Sequence, residues 1–140
     1  MLLLWLDLNS SYAHSSLALP AIHAQVEGKE GNVEWRKVSA TINSNVGSVV
    51  AEIVAARPDV VAATAWLFTH EVLLKITARV KALLPECTII FGGPEMLGDN
   101  EGYLCRNRHV ACVFGGEGEL GFPEWLGVYD CPSRWNEVVG

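Results

Sequence analysis

Two glycine pairs mark the positions where this chain can do chemistry. Each closes an apolar run, in Thr88-Ile89-Ile90-Phe91-Gly92-Gly93-Pro94-Glu95 and in Ala111-Cys112-Val113-Phe114-Gly115-Gly116-Glu117-Gly118-Glu119. Ligands of open α/β sheets bind at the carboxyl ends of strands, and a residue without a Cβ lets a large ligand come close to the backbone. The chemistry implied is binding. A second polar stretch, Asn9-Ser10-Ser11-Tyr12-Ala13-His14-Ser15-Ser16, supplies hydroxyls and an imidazole. A third, Ala65-Trp66-Leu67-Phe68, supplies aromatic surface that can cover the sheet end or meet a neighbouring domain. Glu117 and Glu119 stand at a helix amino terminus, where the helix dipole favours acids without any catalytic role. No residue of the chain is expected to be catalytic.

These loops need a scaffold, and the pattern predicts an alternating one. Leu2 to Leu8 is an apolar run that reads as a first strand. Ser15 or Ser16 can cap a helix carrying Leu17, Leu19, Ile22 and Val26, with Gly28 as its stop. Val33 to Ile42 is a strand with Glu34, Arg36 and Lys37 interleaved, which places it near a sheet edge. Asn45 caps a helix bearing Val49, Val50, Ile53 and Val54 that must end before Arg57-Pro58. Asp59 to Thr64 is a central strand. Thr69 is expected to cap a helix whose apolar face is Val72, Leu73, Ile76, Val80, Leu83 and Leu84, with His70 at its start and Pro85 ending it. Thr88 to Phe91, a helix within Leu97 to Arg106, Val110 to Phe114 and a helix over Leu120 to Leu126 complete the series.

Five strands with intervening helices predict a three-layer, Rossmann-like (flavodoxin-like) α/β fold with a five-stranded parallel sheet. The polar second strand favours the order 2-1-3-4-5. That order sets a topological switch point between strands one and three, flanked by the Asn9–Ser16 and Ala65–Thr69 loops.

Composition narrows the partners. The 140 residues are half apolar and 19% charged, with a formal net charge of −6. Such a chain builds a core rather than staying disordered. Lacking a basic stripe, it is a poor partner for nucleic acid or an anionic membrane. The opening Met1-Leu2-Leu3-Leu4-Trp5-Leu6 has no basic region before it and stops at Asp7, so it reads as a strand rather than a signal or a span, and the protein is expected to be cytoplasmic. Cys87, Cys105, Cys112 and Cys131 form no C-x-x-C pair and are expected as thiols, Cys87 and Cys112 packing the core.

Several uses of such a sheet are excluded by the rim residues. A phosphoacceptor receiver needs clustered acids after strand one, an Asp ending strand three and a Lys ending strand five. Here Asp7 stands alone, strand three ends Thr64-Ala65, and strand five ends in glycines. No G-x-G-x-x-G follows strand one and there is no P-loop. The Ser10, Ser11, Ser15, Ser16 loop is loosely like a flavin-phosphate loop.

From about Leu2 to Leu126 the chain resembles the cobalamin-binding domain at the amino end of many radical S-adenosylmethionine enzymes, those similar to the anaerobic magnesium-protoporphyrin monomethyl ester cyclase among them. The resemblance rests on Asn9-Ser10-Ser11-Tyr12-Ala13-His14-Ser15-Ser16-Leu17-Ala18-Leu19, Phe91-Gly92-Gly93-Pro94-Glu95 and Gly115-Gly116-Glu117-Gly118-Glu119-x-x-Phe122-Pro123, in order. It implies a corrin over the carboxyl ends of the strands and a dimethylbenzimidazole tail beside strands three and four. Ala62, Ala63, Ala65, Gly92, Gly93, Gly115 and Gly116 are small where that tail would run. The cofactor-binding residues it implies are Ser10, Ser11, Tyr12, His14, Ala65, Trp66, Leu67, Gly92, Gly93, Pro94, Gly115, Gly116, Glu117 and Gly118.

The family's Asp-x-His-x-x-Gly becomes Tyr12-x-His14-x-x-Leu17 here, and its Ser-x-Leu finds its nearest match in Ala65-Trp66-Leu67. His14 is therefore the candidate axial ligand to cobalt, with a hydrogen-bonding role in its loop as the alternative. The radical family's Cys-x-x-x-Cys-x-x-Cys is absent. The resemblance divides the chain into a cobalamin-binding-like domain, 1–126, and the start of a linker, 127–140. S-adenosylmethionine and the 4Fe-4S cluster would belong to a separate downstream catalytic domain. Two other readings stay open: a degenerate Rossmann-like docking or regulatory domain without cofactor, and a flavin-binding electron carrier.

Overall fold

The inner strands are short and apolar enough to be buried on both faces, the second strand is polar on one, and the two longer helices present apolar residues at three- and four-residue steps. The computed structural model describes residues 2–9, 33–64, 69–92, 100–114 and 125. Among these it has β1 (Leu2–Asn9), β2 (Glu34–Thr41), α1 (Val46–Ala56), β3 (Val60–Thr64), α2 (His70–Leu83), β4 (Thr88–Gly92), α3 (Asn100–Arg106) and β5 (Val110–Val113). All strand pairs are parallel, in the order β2-β1-β3-β4-β5. This is the doubly wound order expected from the sequence. The helices expected after Ser15 or Ser16 and over Leu120 to Leu126 lie outside the described residues, except for buried Trp125.

Alternation divides the sheet into two faces. Leu4, Leu6 and Leu8 of β1 join Val38, Ala40, Val61, Ala63, Ile89, Phe91 and Val113 in one core with Val49, Val50 and Ile53 of α1 and Leu73, Ile76 and Val80 of α2. The intervening residues Leu3, Trp5, Asp7, Val60, Ala62, Ile90, Cys112 and Phe114 lie on the opposite face, and all are buried. Burial of both faces is what a parallel sheet between two layers requires.

Local chemistry sets the boundaries. Asn45 Oδ1 accepts from Ser48 N at 3.0 Å, starting α1. Pro58 disfavours helical geometry at Arg57, which closes α1 in the left-handed region at φ 50° with its N–H on the Val54 carbonyl. Asp59 reaches back across the sheet, its Oδ2 accepting from Leu2 N at 2.7 Å. In α2, Glu71 lies in the first turn and Lys81 in the last, matching the helix dipole.

Two details of α2 differ from expectation. Thr69 occupies the N-cap, but its side chain makes no capping bond; its backbone is already helical, and its carbonyl accepts from Leu73 N. Leu83, expected on the apolar face, is 61% exposed. The helix ends there, past the sheet it covers, and Thr77 takes a fully buried place on that face instead. Its hydroxyl donates to the Leu73 carbonyl at 2.8 Å, which removes the cost of burying it.

A β-bulge shifts β5. Ile89 pairs Val110 but Ile90 pairs Cys112, leaving exposed Ala111 as the extra residue. The phase of the strand is thereby inverted: Cys112 and Phe114 face the side of Ile90 and Gly92, while Val113 joins the α1–α2 core. Without the bulge, Phe114 would point to the other face.

Candidate functional site

The strand ends bring five residues into one row. β1 pairs Asp7 with Ser39 of β2, and its register with β3, Leu6 against Ala63, sets Asp7 level with Thr64. Thr64 pairs Gly92. Gly92 in turn lies beside Phe114, whose N–H donates to the Phe91 carbonyl at 2.9 Å. Ser39, Asp7, Thr64, Gly92 and Phe114 thus share the face opposite α1 and α2, at the carboxyl edge. One step down, Trp5 pairs Ala62, and Ala62 pairs Ile90.

The middle of this row is small. A Cβ placed on Gly92 would meet the Cβ of Phe114 at 3.8 Å, an ordinary contact, and the Gly92 φ lies outside the left-handed range. Neither strain nor a clash with a described residue demands glycine at this position. It leaves backbone without a side chain between Thr64, its partner on β3, and Phe114. The Trp125 ring meets Phe114 edge-on at 6.3 Å between centroids. Small residues beside an aromatic ring and a hydroxyl are the residue types that suit a flat, partly polar group.

Charge sits at the β1 side. Asp7 is 4% exposed, and its Oδ2 lies 3.3 Å from Lys37 Nζ, which is half-exposed on the edge strand. The pair keeps a buried carboxylate compensated. On the same face the Trp5 indole Nε1 is buried and has no hydrogen-bond partner among the described residues.

Two histidines make contacts elsewhere, His70 from the start of α2 to α3 and His109 from the turn before β5 to α2. His70, at the start of α2 as expected, contacts the Tyr103 hydroxyl of α3 through Nε2 at 2.5 Å, with the rings stacked 5.3 Å apart. That link ties the two helices together at the carboxyl side of the sheet. His109 Nε2 lies 3.0 Å from Thr77 Oγ1 at the opposite end. Burial, and then the Lys81 charge, hold its imidazole below the usual histidine range. Because the Thr77 proton is committed to Leu73, neutral His109 donates from Nε2. Burial also pushes the Cys87 thiol up to about 11 and the Cys112 thiol up to about 12, so both are packing groups and not nucleophiles. Among the described residues no cluster of His, Cys, Asp and Glu could hold a metal ion, and no helix is long and apolar enough to cross a membrane.

Of the residues expected to contact a cofactor, Gly92 is placed, at the centre of the row. Ser10, Ser11, Tyr12, His14, Ala65, Trp66, Leu67, Gly93, Pro94, Gly115, Gly116, Glu117 and Gly118 lie outside the described residues. Thr64, Asp7 and Trp5 were not read from the sequence as parts of the site. Thr64 carried a signal, being the polar residue that ends an apolar strand. Asp7 and Trp5 carried none, since their shared face follows only from the register.

The family model of the B12 binding domain matches residues 6–126. The chain belongs to the B12-binding domain family. Its fold is that of solved cobalamin proteins. The B12-binding chain aligns with the cobalamin-dependent S-adenosylmethionine radical enzyme OxsB, solved with aqua-cobalamin and S-adenosylmethionine bound, at TM-score 0.68 and 11% identity over 91% of its length. With the radical S-adenosylmethionine methyltransferase TsrM of Kitasatospora setae, solved with cobalamin and a [4Fe-4S] cluster, the TM-score is 0.65 at 15% identity over 99% of this chain. A cobalamin-binding protein of Desulfitobacterium hafniense DCB-2 gives TM-score 0.62 at 16% identity over 96%. The chain spans 58% of the Desulfitobacterium protein, 25% of TsrM and 18% of OxsB. No curated protein sequence matches it at a significant level. This B12-binding chain therefore resembles the cobalamin-binding modules of cobalamin-dependent radical S-adenosylmethionine enzymes.

Proposed function

We propose that the chain binds cobalamin at the carboxyl edge of its sheet and presents it to a radical S-adenosylmethionine catalytic domain. The observation that carries the reading is the Thr64–Gly92–Phe114 row, whose centre bears no side chain although the backbone would accept one there. Membership of the B12-binding family supports corrinoid as the occupant. Thr64 offers a hydroxyl to the tail, Gly92 admits it, and Phe114 walls it. The Ser10, Ser11, Tyr12 and His14 loop, Ala65-Trp66-Leu67, Gly93-Pro94 and Gly115-Gly116-Glu117-Gly118 complete the rim in this proposal. When bound, cobalamin supplies a cobalt centre for methyl transfer or radical rearrangement. The S-adenosylmethionine and 4Fe-4S cluster belong to the catalytic domain, with 127–140 as the start of a linker towards it.

The test is retention. The purified chain is mixed with hydroxocobalamin or with flavin mononucleotide, desalted, and its visible spectrum recorded. A retained corrin band is expected. Retention of flavin alone would make the chain an electron carrier, and retention of neither would leave a docking scaffold. A His14→Ala chain then decides ligation: a changed cobalt spectrum assigns His14 as axial ligand, and an unchanged one assigns it a loop role.

A further inference from the structure

On the α1–α2 side of the sheet the core is largely apolar, and a polar bridge enters it at the carboxyl end. Tyr103 of α3 is 8% exposed and belongs to that core. Its hydroxyl lies 2.5 Å from Nε2 of half-buried His70, the first residue of α2, and the two rings stack at 19°. A phenol can donate to an imidazole nitrogen or accept from one, so the bond holds in either neutral tautomer. The partners stand 33 residues apart in the chain, on different helices. An apolar contact would also join two helices, but a hydrogen bond combined with a stack fixes direction as well as distance.

The bridge closes the chain at a telling place. Thr64 and Gly92 are paired at the ends of β3 and β4. Segment 65–69 runs from Thr64 to His70, and segment 93–99 runs from Gly92 to α3, which carries Tyr103. The sheet therefore holds the two segments at one end, and the His70–Tyr103 bond holds them at the other. Thr69, fully buried with its carbonyl accepting from Leu73 N, seats the start of α2 beside the bond. Ala65-Trp66-Leu67 and Gly93-Pro94, assigned above to the cofactor rim, belong to these segments. A ligand that must order two separate segments loses affinity to their entropy; one that meets them already spaced does not.

We infer that His70 and Tyr103 are positioning residues for the corrinoid: their bond spaces the segments after β3 and β4 before the cofactor arrives. The inference rests on the cobalamin-binding reading and adds to it a pair that acts from the other face of the sheet.

Hydroxocobalamin is titrated, by corrin absorbance, into the 140-residue chain and into Tyr103→Phe, His70→Leu, the double variant and His70→Gln. The temperature is one at which circular dichroism shows each chain folded. Tyr103→Phe and His70→Leu are each expected to bind about two- to tenfold more weakly, the scale of one hydrogen bond. The double variant is expected to lose no more than either single one, because both remove the same bond. His70→Gln, which can still bond the phenol, is expected to recover most of the loss. Unchanged affinity in Tyr103→Phe with a lowered Tm would make the bridge merely structural and overturn the inference alone, as would losses that add in the double variant. Failure of the unsubstituted chain to bind hydroxocobalamin overturns the cobalamin reading and this inference together. One measurement needs no variant and so survives any misfolding: the His70 ring nitrogen resonances in the free chain and at saturating hydroxocobalamin are expected to coincide. A bond that forms only on binding would shift them and overturn the inference.

Discussion

Replacing Gly92 should move stability and binding in opposite directions. Gly92 ends β4 with a φ open to L side chains, and an added Cβ would meet Phe114 Cβ at a comfortable 3.8 Å. Glycine in a strand costs roughly 0.5–1 kcal/mol relative to alanine, because it loses more backbone freedom on folding. Gly92→Ala should therefore stabilise the chain, raising Tm by about 1–4 °C for a domain of this size. The same methyl intrudes on the space assigned to the ligand. Overpacking a filled contact costs roughly 1–3 kcal/mol, which corresponds to hydroxocobalamin binding about 5- to 150-fold weaker. Gly92→Leu, with three more carbons, should retain the fold and lose the cofactor. Thermal unfolding by circular dichroism and titration of the corrin absorbance measure the two effects separately. A raised Tm with unchanged affinity would refute the cradle, because nothing would then lie against Gly92. A fall in both would show that the glycine serves backbone packing.

Two other consequences follow from the buried titratable groups. The pKa of folded His109 is below its ordinary value of 6.5, so the unfolded chain binds the extra proton first. Its contribution to stability is full above about pH 6.5 and is lost as pH falls towards the lower folded value; urea unfolding across pH 5 to 8 should show this loss, and His109→Gln should remove that component. With Cys131 replaced by serine, maleimide at pH 8 should label exposed Cys105 in the native chain, whereas Cys87 and Cys112 should react only after unfolding. Rapid native labelling of Cys112 would contradict its packing against the sheet.

The elements were legible where one local rule dominates. Asn45 capped its helix, Pro58 stopped it, and the charged first half of β2 marked an edge strand, which together gave the sheet order. Three features were not legible, each because it depends on partners distant in the chain. Thr69 sits at a cap position without making the capping bond, and Leu83 continues an apolar period beyond the sheet it would cover. The Ala111 bulge inverts β5 through its register with Ile89 and Ile90, and only then does Phe114 come to stand beside Gly92. For the site, the glycine at 92 was readable as a position of close approach. That Asp7, Trp5 and Thr64 share its face required the pairing of β1 with β3, which no local pattern contains.

The central claim is that a corrinoid sits on the carboxyl edge of this sheet, and amide chemical shifts during a hydroxocobalamin titration test it most directly. The account predicts saturable shifts at Thr64, Gly92 and Phe114, with Glu34, Val60, Thr88 and Val110 at the opposite edge unmoved. Shifts confined to that opposite edge, or no shifts at saturating hydroxocobalamin, would contradict it.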